Sequence, residues 1–312
     1  MSTETVTPAA RPVQPPEPST ARPPGQGRAA TGFLLPFGLL YLAFILGPAV
    51  YGLIMSFFDA SLVRPGLGGF AGFGNYTEAL QSADFWSSLW HTLWFTILTT
   101  PPLIVLAFVF ALLADRVSRG RWFFRLAFFA PFILPSAVVA LIWIFMYTPE
   151  LGLLEVGLAK IGVTAPAWLG DPTWAMPSLA VTTIWWTLGF NFILYLAGLQ
   201  EIPRDLYEAS AIDGAGPWQQ IRRITIPMLG RTTTLVAVLQ VIASLKVFDQ
   251  MYLMTTGGPD FATRSVLQYV YDQGFTNFRL GYAAAVSMLF FLVVLAVSAV
   301  WFTIVRRQEK EV

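Results

Sequence analysis

The chain has no cysteine and a single histidine, His91. That excludes disulfides, thiolate nucleophiles and cysteine-held metals, and it leaves too few imidazoles for a His-based metal cluster or a His-dependent triad. Neither an HExxH nor a GxSxG pattern occurs, and no GxxxxGK[ST] phosphate loop is present. Charge is scarce too. Charged residues make up 12% of the 312 positions and sum to a formal +1, so there is no electrostatic ground for a nucleic-acid partner. What the chain has in excess is apolar surface. Hydrophobic residues reach 55% and the mean hydropathy is +0.61, more than a soluble domain of this length can bury. The expected solvent is a lipid bilayer and the expected fold class is all-α.

Residues 1–30 carry seven prolines (8, 12, 15, 16, 18, 23 and 24) among Ala, Thr, Gly and Arg, a composition that reads as a disordered or polyproline-like tail. It has no apolar core before Phe33, which argues against a cleavable signal peptide. From 31 to 312 the sequence reads as one membrane domain. Spanning a bilayer takes roughly 20 mostly apolar helical residues, and the windows that meet this run from about 33–58, 89–114, 126–148, 178–198, 232–254 and 281–305. Prolines 36, 48, 101, 102, 131 and 135 fall inside these spans, where they predict kinks, not breaks.

Basic residues favour the cytoplasmic side. With the N-terminus inside, the cytoplasmic segments hold Arg11, Arg22, Arg28, Arg116, Arg119, Arg121, Arg125, Arg204, Arg222, Arg223, Arg231, Arg306, Arg307 and Lys310, against Arg64, Lys160, Arg264 and Arg279 outside. Both termini are therefore predicted to be cytoplasmic, and the loop 199–231 with them. Arg116 to Arg125 reads as an anchor facing anionic lipid, and Trp86, Trp90, Trp94, Trp168 and Trp174 as an aromatic belt at the outer boundary. His91, at the outer start of the second span, reads as an interfacial polar residue and not a ligand.

The loop 199–231 predicts two short helices with a sharp bend. Pro203 suits a first helical turn, Leu206, Ala209 and Ile212 recur at helical spacing, and Gly214 and Gly216 end the run. Pro217 then starts a second helix with Trp218, Ile221 and Ile224 on one face, until Pro227 stops it. By spacing alone, the pair is either a docking element or an interfacial linker between two spans.

The stretch Tyr207-Glu208-Ala209-Ser210-Ala211-Ile212-Asp213-Gly214-Ala215-Gly216, followed by Ile224-Thr225-Ile226-Pro227, resembles the EAA loop by which permease subunits of bacterial ATP-binding-cassette importers grip their ATPases. Ser210 stands where a second Ala is usual, and Ile221 where Phe is common. Phe248-Asp249 with Thr255-Thr256-Gly257-Gly258-Pro259, and Gly281-Tyr282-Ala283-Ala284-Ala285, resemble stretches of the sugar-importing branch, in particular the "first" permease of maltose and glycerol-phosphate systems. The similarity covers about residues 33–305.

The resemblance implies a six-helix type I importer permease in the bacterial cytoplasmic membrane, a binding-protein-dependent inner-membrane component that is not itself an enzyme. It implies a second related permease, an ATPase dimer that alone binds ATP and magnesium, and an extracytoplasmic solute-binding protein. Glu208, Ala209, Ser210, Asp213, Gly214, Ile224 and Pro227 would then couple the spans to the ATPase. The external loops 59–88, 149–177 and 255–280 are long enough to receive the binding protein.

A sugar needs hydrogen-bond partners and aromatic faces near mid-membrane. Trp185, Trp186, Gly189, Asn191 and Phe192 cluster in the fourth span, and Gln240 and Ser244 lie four apart in the fifth. By its place relative to the family's landmarks, the set Gly189, Phe192, Gln240 and Ser244 is similar to sugar-contacting positions. The alternative is that the aromatics pack against lipid or core while Gln240 and Ser244 bond neighbouring helices. Lys246 and Asp249, three apart inside a predicted helix, share a face and can pair, or snorkel towards the external interface; a structural ion pair or a lock against the partner permease is favoured over a proton relay. Di- or oligosaccharides fit better than a phosphorylated polyol, for which one Lys246 is thin provision. A secondary transporter or channel using Lys246 and Asp249 for ion coupling is the rival reading, although it gives the 208–227 element no task.

Overall fold

The computed structural model describes residues 26–117 and 120–308. Among these residues there is no strand, only a lone bridge between Phe58 and Phe70. By contacts the chain divides into residues 1–51 and residues 52–312. The first unit contains α1 (Gln26–Tyr41), a π-helical turn (Leu42–Leu46) and the start of α2 (Gly47–Met55). Helix already begins at Gln26, so residues 26–30 leave the predicted tail, while residues 1–25 lie outside the described residues.

The second unit contains α3 (Gly74–Gln81), α4 (Ala83–Arg116), α5 (Arg121–Ile133), α6 (Ser136–Tyr147), α7 (Leu153–Lys160) and α8 (Pro172–Glu201). After them come α9 (Arg204–Ile212), α10 (Pro217–Gln220), a π-helical turn (Ile221–Thr225), α11 (Ile226–Met228), α12 (Gly230–Leu245), α13 (Asp249–Thr255), α14 (Val266–Tyr271) and α15 (Leu280–Gln308). Among the described residues, Leu34–Met55, Ala83–Arg116, Pro172–Glu201 and Leu280–Val300 are long and apolar enough to cross a membrane singly, and the count reaches six if each of two bent pairs, Trp122–Ile133 with Ser136–Tyr147 and Pro217–Met228 with Gly230–Leu245, counts as one span.

The two longest helices start about six residues before the spans read from the sequence, each at a side-chain cap. Ser82 caps α4 by accepting from the Phe85 N–H at 3.3 Å, and Asp171 caps α8 by accepting from Thr173 at 2.7 Å, with Pro172 in the first turn. Between these helices Ala107, Ala111 and Ala114 of α4 are buried with Phe192, Tyr195 and Leu199 of α8. Lipid tails are as apolar as leucine, so small residues that let helices approach closely supply the attraction here. A second cluster joins Phe95 of α4 to Trp143, Tyr147, Leu179 and Met251, and a third joins Phe85 and Leu89 to Tyr269, Tyr282 and Val286. Because α4 enters all three clusters, it is the axis of the unit.

Two predicted spans are broken. The third turns by 98° between α5 and α6. Pro135 lacks an N–H and forbids helical geometry to its predecessor, and Leu134 is accordingly extended at φ −69°, ψ 138°. Pro101 and Pro102, by contrast, stay inside an unbroken α4. The fifth span ends at Leu245 and resumes at Asp249, with Phe248 at φ −139°, ψ −56°. The break turns Val247 into the core beside Met251 and leaves Lys246 and Asp249 exposed.

The segment after α13 is locked by side chains. The Thr255 and Thr263 hydroxyls lie 2.7 Å apart, and Thr263 donates to the Gly258 carbonyl. Buried Arg264 lies over the rings of Phe261 and Tyr269 and within 2.9 Å of Asp84, which ties the Thr255–Pro259 stretch to α4. Trp86, Trp90, Trp94 and Trp174 are exposed as a belt requires. Trp168 departs from that expectation, since its ring packs between Tyr147 and Trp174.

Candidate functional site

Two places in the second unit gather the functional candidates. The first is a cavity of about 200 Å³ among α4, α8, α12 and α13. Gln240 and Ser244 line it from α12, Thr183, Trp186 and Thr187 from α8, and Phe95 from α4. Each helical group repeats at three or four residues, so each presents one face. Lys246, Phe248 and Asp249 reach the cavity from the break between α12 and α13.

Hydrogen bonds fix this wall. The Asn191 amide donates to Gln240 Oε1 at 3.1 Å, and Ser244 Oγ donates to the Gln240 carbonyl at 2.8 Å while lying 3.3 Å from Thr100 Oγ1. Trp186 Nε1 donates to the Leu134 carbonyl at 3.1 Å, supplying a partner for the acceptor that the α5–α6 break exposes. Two buried acceptors stay open, Thr183 Oγ1 on the cavity wall and Asn191 Oδ1 behind Gln240. A buried polar atom without a partner is costly, and of the two only Thr183 Oγ1 belongs to a residue on the cavity wall.

The other predicted path residues lie elsewhere. Phe192 is fully buried against Phe128 at 5.1 Å, and Trp185 stands edge-on to Trp143 at 5.6 Å, away from the cavity. Gly189 packs α8 against α5 so closely that a Cβ there would strike the Phe128 carbonyl oxygen. Asn191 acts on the cavity only through Gln240. Thr183, Thr187 and Phe95 were not among the sequence candidates. The two Thr at four-residue spacing in an apolar helix were the available signal.

The expected Lys246–Asp249 ion pair is absent among the described residues. With the helix broken between them, three-residue spacing no longer puts the two side chains on a common face. Both charges instead line the cavity.

The second place is the bent hook of α9 to α11. Pro203 precedes the first helical residue, Asp213 closes α9, and Gly214 at φ +82° takes the left-handed conformation that lets the chain reverse. One face of the hook is zipped shut. Gln220 Nε2 donates to the Tyr207 carbonyl at 3.0 Å and to Ser210 Oγ at 2.9 Å, Ser210 donates to Tyr207, and the Tyr207 and Thr225 hydroxyls meet at 2.9 Å. The opposite face is open: Asp205, Glu208, Ala209 and Ile212 are all exposed, Ile212 at 87%. Ile224 packs inward beside the core of α4 and α8. The second helix ends one residue after Pro227, at Met228, and the chain bends by 62° at Leu229, which leaves helical geometry at φ −83°, ψ 5°.

The family described as "Binding-protein-dependent transport system inner membrane component" matches residues 103–310. The sulfoquinovosyl glycerol transport system permease protein SmoG of Agrobacterium fabrum is 32% identical over 285 residues, covering 91% of this chain and 92% of that protein. The trehalose/maltose transport system permease protein MalF of Thermococcus litoralis is 33% identical over 237 residues, covering 76% and 80%. Among solved structures, a bacterial ABC transporter involved in import of the acidic polysaccharide alginate superposes with a TM-score of 0.79 at 27% identity, covering 90% of this chain and 96% of that one. The same kind of alginate transporter, in complex with its periplasmic protein bound to an alginate pentasaccharide, gives 0.79 at 26% identity, covering 90% and 94%.

Proposed function

Since the chain belongs to the family of binding-protein-dependent transport system inner membrane components, we propose that it forms half of a sugar path in an ATP-driven importer and receives its drive through the α9–α11 hook. As a member of that family it is a multi-pass protein of the cytoplasmic membrane and a transport subunit, not an enzyme.

The observation that carries the proposal is the hook's two-faced construction. Its inner face spends its hydrogen-bonding groups within the hook, Thr225 included, while Glu208, Ala209 and Ile212 are exposed on the other face with no side-chain hydrogen bond or ion pair among the described residues. A helix that leaves an apolar stripe flanked by acids outside is built to enter a cleft of another protein. Arginines on the same end of the second unit favour the cytoplasmic side, where ATP is. ATP and magnesium belong to that other subunit.

The cargo reading rests on the cavity. Amide and hydroxyl groups from Gln240, Thr183 and Thr187 beside the rings of Trp186, Phe95 and Phe248 suit a sugar's hydroxyls and its apolar face. At about 200 Å³ the cavity is smaller than the roughly 300–1,000 Å³ usual for ligand sites, which fits a path completed by a second, related permease. A di- or oligosaccharide is the preferred cargo, handed over by an extracytoplasmic solute-binding protein. Proteoliposomes holding the complete transporter test this. Sugar uptake is expected only with ATP hydrolysis, and Gln240→Leu is expected to raise KM while the complex assembles normally. Uptake that persists without the ATPase subunit refutes the proposal.

A further inference from the structure

A cleft of about 690 Å³ opens where the end of α4, the start of α5 and the hook meet. Its lining includes three arginines, Arg116, Arg125 and Arg204, each of them exposed, and one acid, Asp115. Asp115 has an interaction of its own, whereas among the described residues none of the three arginines lies within ion-pair distance of a carboxylate. Three like charges facing one space repel each other until an anion enters, and the planar guanidinium fork matches a phosphate through paired hydrogen bonds.

The surroundings decide which anion. Arg125 follows Trp122, Phe123 and Phe124, which are 69%, 58% and 38% exposed. Aromatic side chains next to arginine at the end of an apolar helix are the composition of a membrane-interface anchor. The cleft is amphipathic in the same sense, since Leu112 and Ile202 continue its wall from the arginines towards the apolar helices.

We propose that this cleft binds the headgroup of an anionic phospholipid from the leaflet on the hook's side. The arginines take the phosphate, and the aliphatic wall takes the start of the acyl chains. Arg204 opens α9, so an occupied cleft ties the hook to α4 and α5. The lipid site stands whether or not the hook meets an ATPase, and the two are tested by different readouts.

The experiment uses the full chain, purified with the subunits that accompany it, in nanodiscs of phosphatidylcholine with or without phosphatidylglycerol. Lipid retained after detergent exchange is read by native mass spectrometry. Wild type is expected to keep phosphatidylglycerol, and the combined Arg116→Gln, Arg125→Gln, Arg204→Gln variant to keep roughly a hundredfold less, the product of a severalfold contribution from each arginine near an anionic surface. Arg222→Gln with Arg223→Gln, on the same loop but off the cleft wall, is expected to retain it. Poor recovery of the triple variant moves the comparison to Arg125→Gln against Arg125→Lys, with a severalfold loss of retention expected in the first and a smaller loss in the second, which keeps the charge but not the fork. Equal retention by the glutamine variants and wild type overturns the site. Displacement of the lipid by equimolar inorganic phosphate overturns the lipid assignment in favour of a free anion. Protection of the arginines from phenylglyoxal that needs the ATPase subunit and no lipid overturns it in favour of a protein contact.

Discussion

Gly189→Ala should destabilise the protein through packing, not through substrate contact. A Cβ at 189 would meet the Phe128 carbonyl oxygen and lie 2.7 Å from Phe129 Cα, both backbone atoms of α5. Backbone cannot rotate away, so α8 and α5 must separate by roughly 1 Å to restore an ordinary contact, and overpacking of this kind costs about 1–3 kcal/mol. Trp186 sits one turn earlier on α8, and the separation stretches its 3.1 Å bond to the Leu134 carbonyl. Thermal unfolding of the purified complex is expected to show a lower midpoint with or without sugar. Phe128→Ala is expected not to rescue it, because the struck oxygen belongs to the main chain.

Gly198→Ala supplies the contrast. There the nearest atoms are side-chain ones, Thr232 Oγ1 at 2.5 Å and Leu229 Cδ2 at 2.9 Å, so Thr232→Ala should recover much of the loss. Gly157→Ala, which meets nothing within 4 Å inside α7, should cause no loss and gain up to about 1 kcal/mol from helix propensity. A Gly189→Ala protein with the wild-type midpoint and an altered KM for sugar would refute the packing argument and return Gly189 to the transport path.

Three further outcomes are expected. Lys246→Met and Asp249→Asn should act independently, with a coupling below about 0.5 kcal/mol in a double-mutant cycle of thermal stability, because they share no partner; coupling above about 1 kcal/mol restores the ion pair. Glu78 and Arg279 join α3 to the start of α15 through two bonds of 2.7 and 2.6 Å, and the bond from Arg279 holds the Glu78 carboxyl below its ordinary value of 4.5. A depressed carboxylate stabilises above its unfolded pKa and loses that contribution as pH falls through the folded value. Both side chains are about half exposed, which limits the pair to under about 1 kcal/mol. The protection of α3 amides, taken relative to the intrinsic exchange rate at each pH, should therefore fall on acidification in wild type and show no such step in Glu78→Gln. Ile212→Ala should weaken capture of the ATPase subunit roughly ten- to a hundredfold, since burying such a side chain is worth about 1.5–3 kcal/mol; unchanged affinity removes Ile212 from the interface.

The long helices α4 and α8 were legible as spans by length and apolarity, while their starts at the Ser82 and Asp171 caps lie before the apolar windows and were missed. The hook was legible because Pro203, Gly214 and Pro217 punctuate it at fixed positions. Two breaks were not. Prolines 101 and 102 bend nothing sharply while Pro135 turns the chain by 98°, and the difference lies in the partner: Trp186 reaches the freed Leu134 carbonyl from 52 residues away. The break after Leu245 contains no proline or glycine, so only the charges at 246 and 249 hinted at it. Helical phase was hidden as well. On a helix apolar all round, Trp185 and Trp186 differ only by rotation about the axis, and tertiary packing sends the second to the cavity and the first to Trp143.

The most direct test of the proposed transport role uses the absence of native cysteine, which makes Ala209→Cys the sole thiol in the chain. Ala209 is exposed on the open face of α9, and Ala211 is exposed on its flank. A short thiol crosslinker in assembled membranes should join position 209 to the ATPase subunit, with nucleotide changing the yield. Failure of both Ala209→Cys and Ala211→Cys to reach that subunit, or labelling of either thiol by an impermeant reagent added outside intact cells, contradicts the role assigned to the hook.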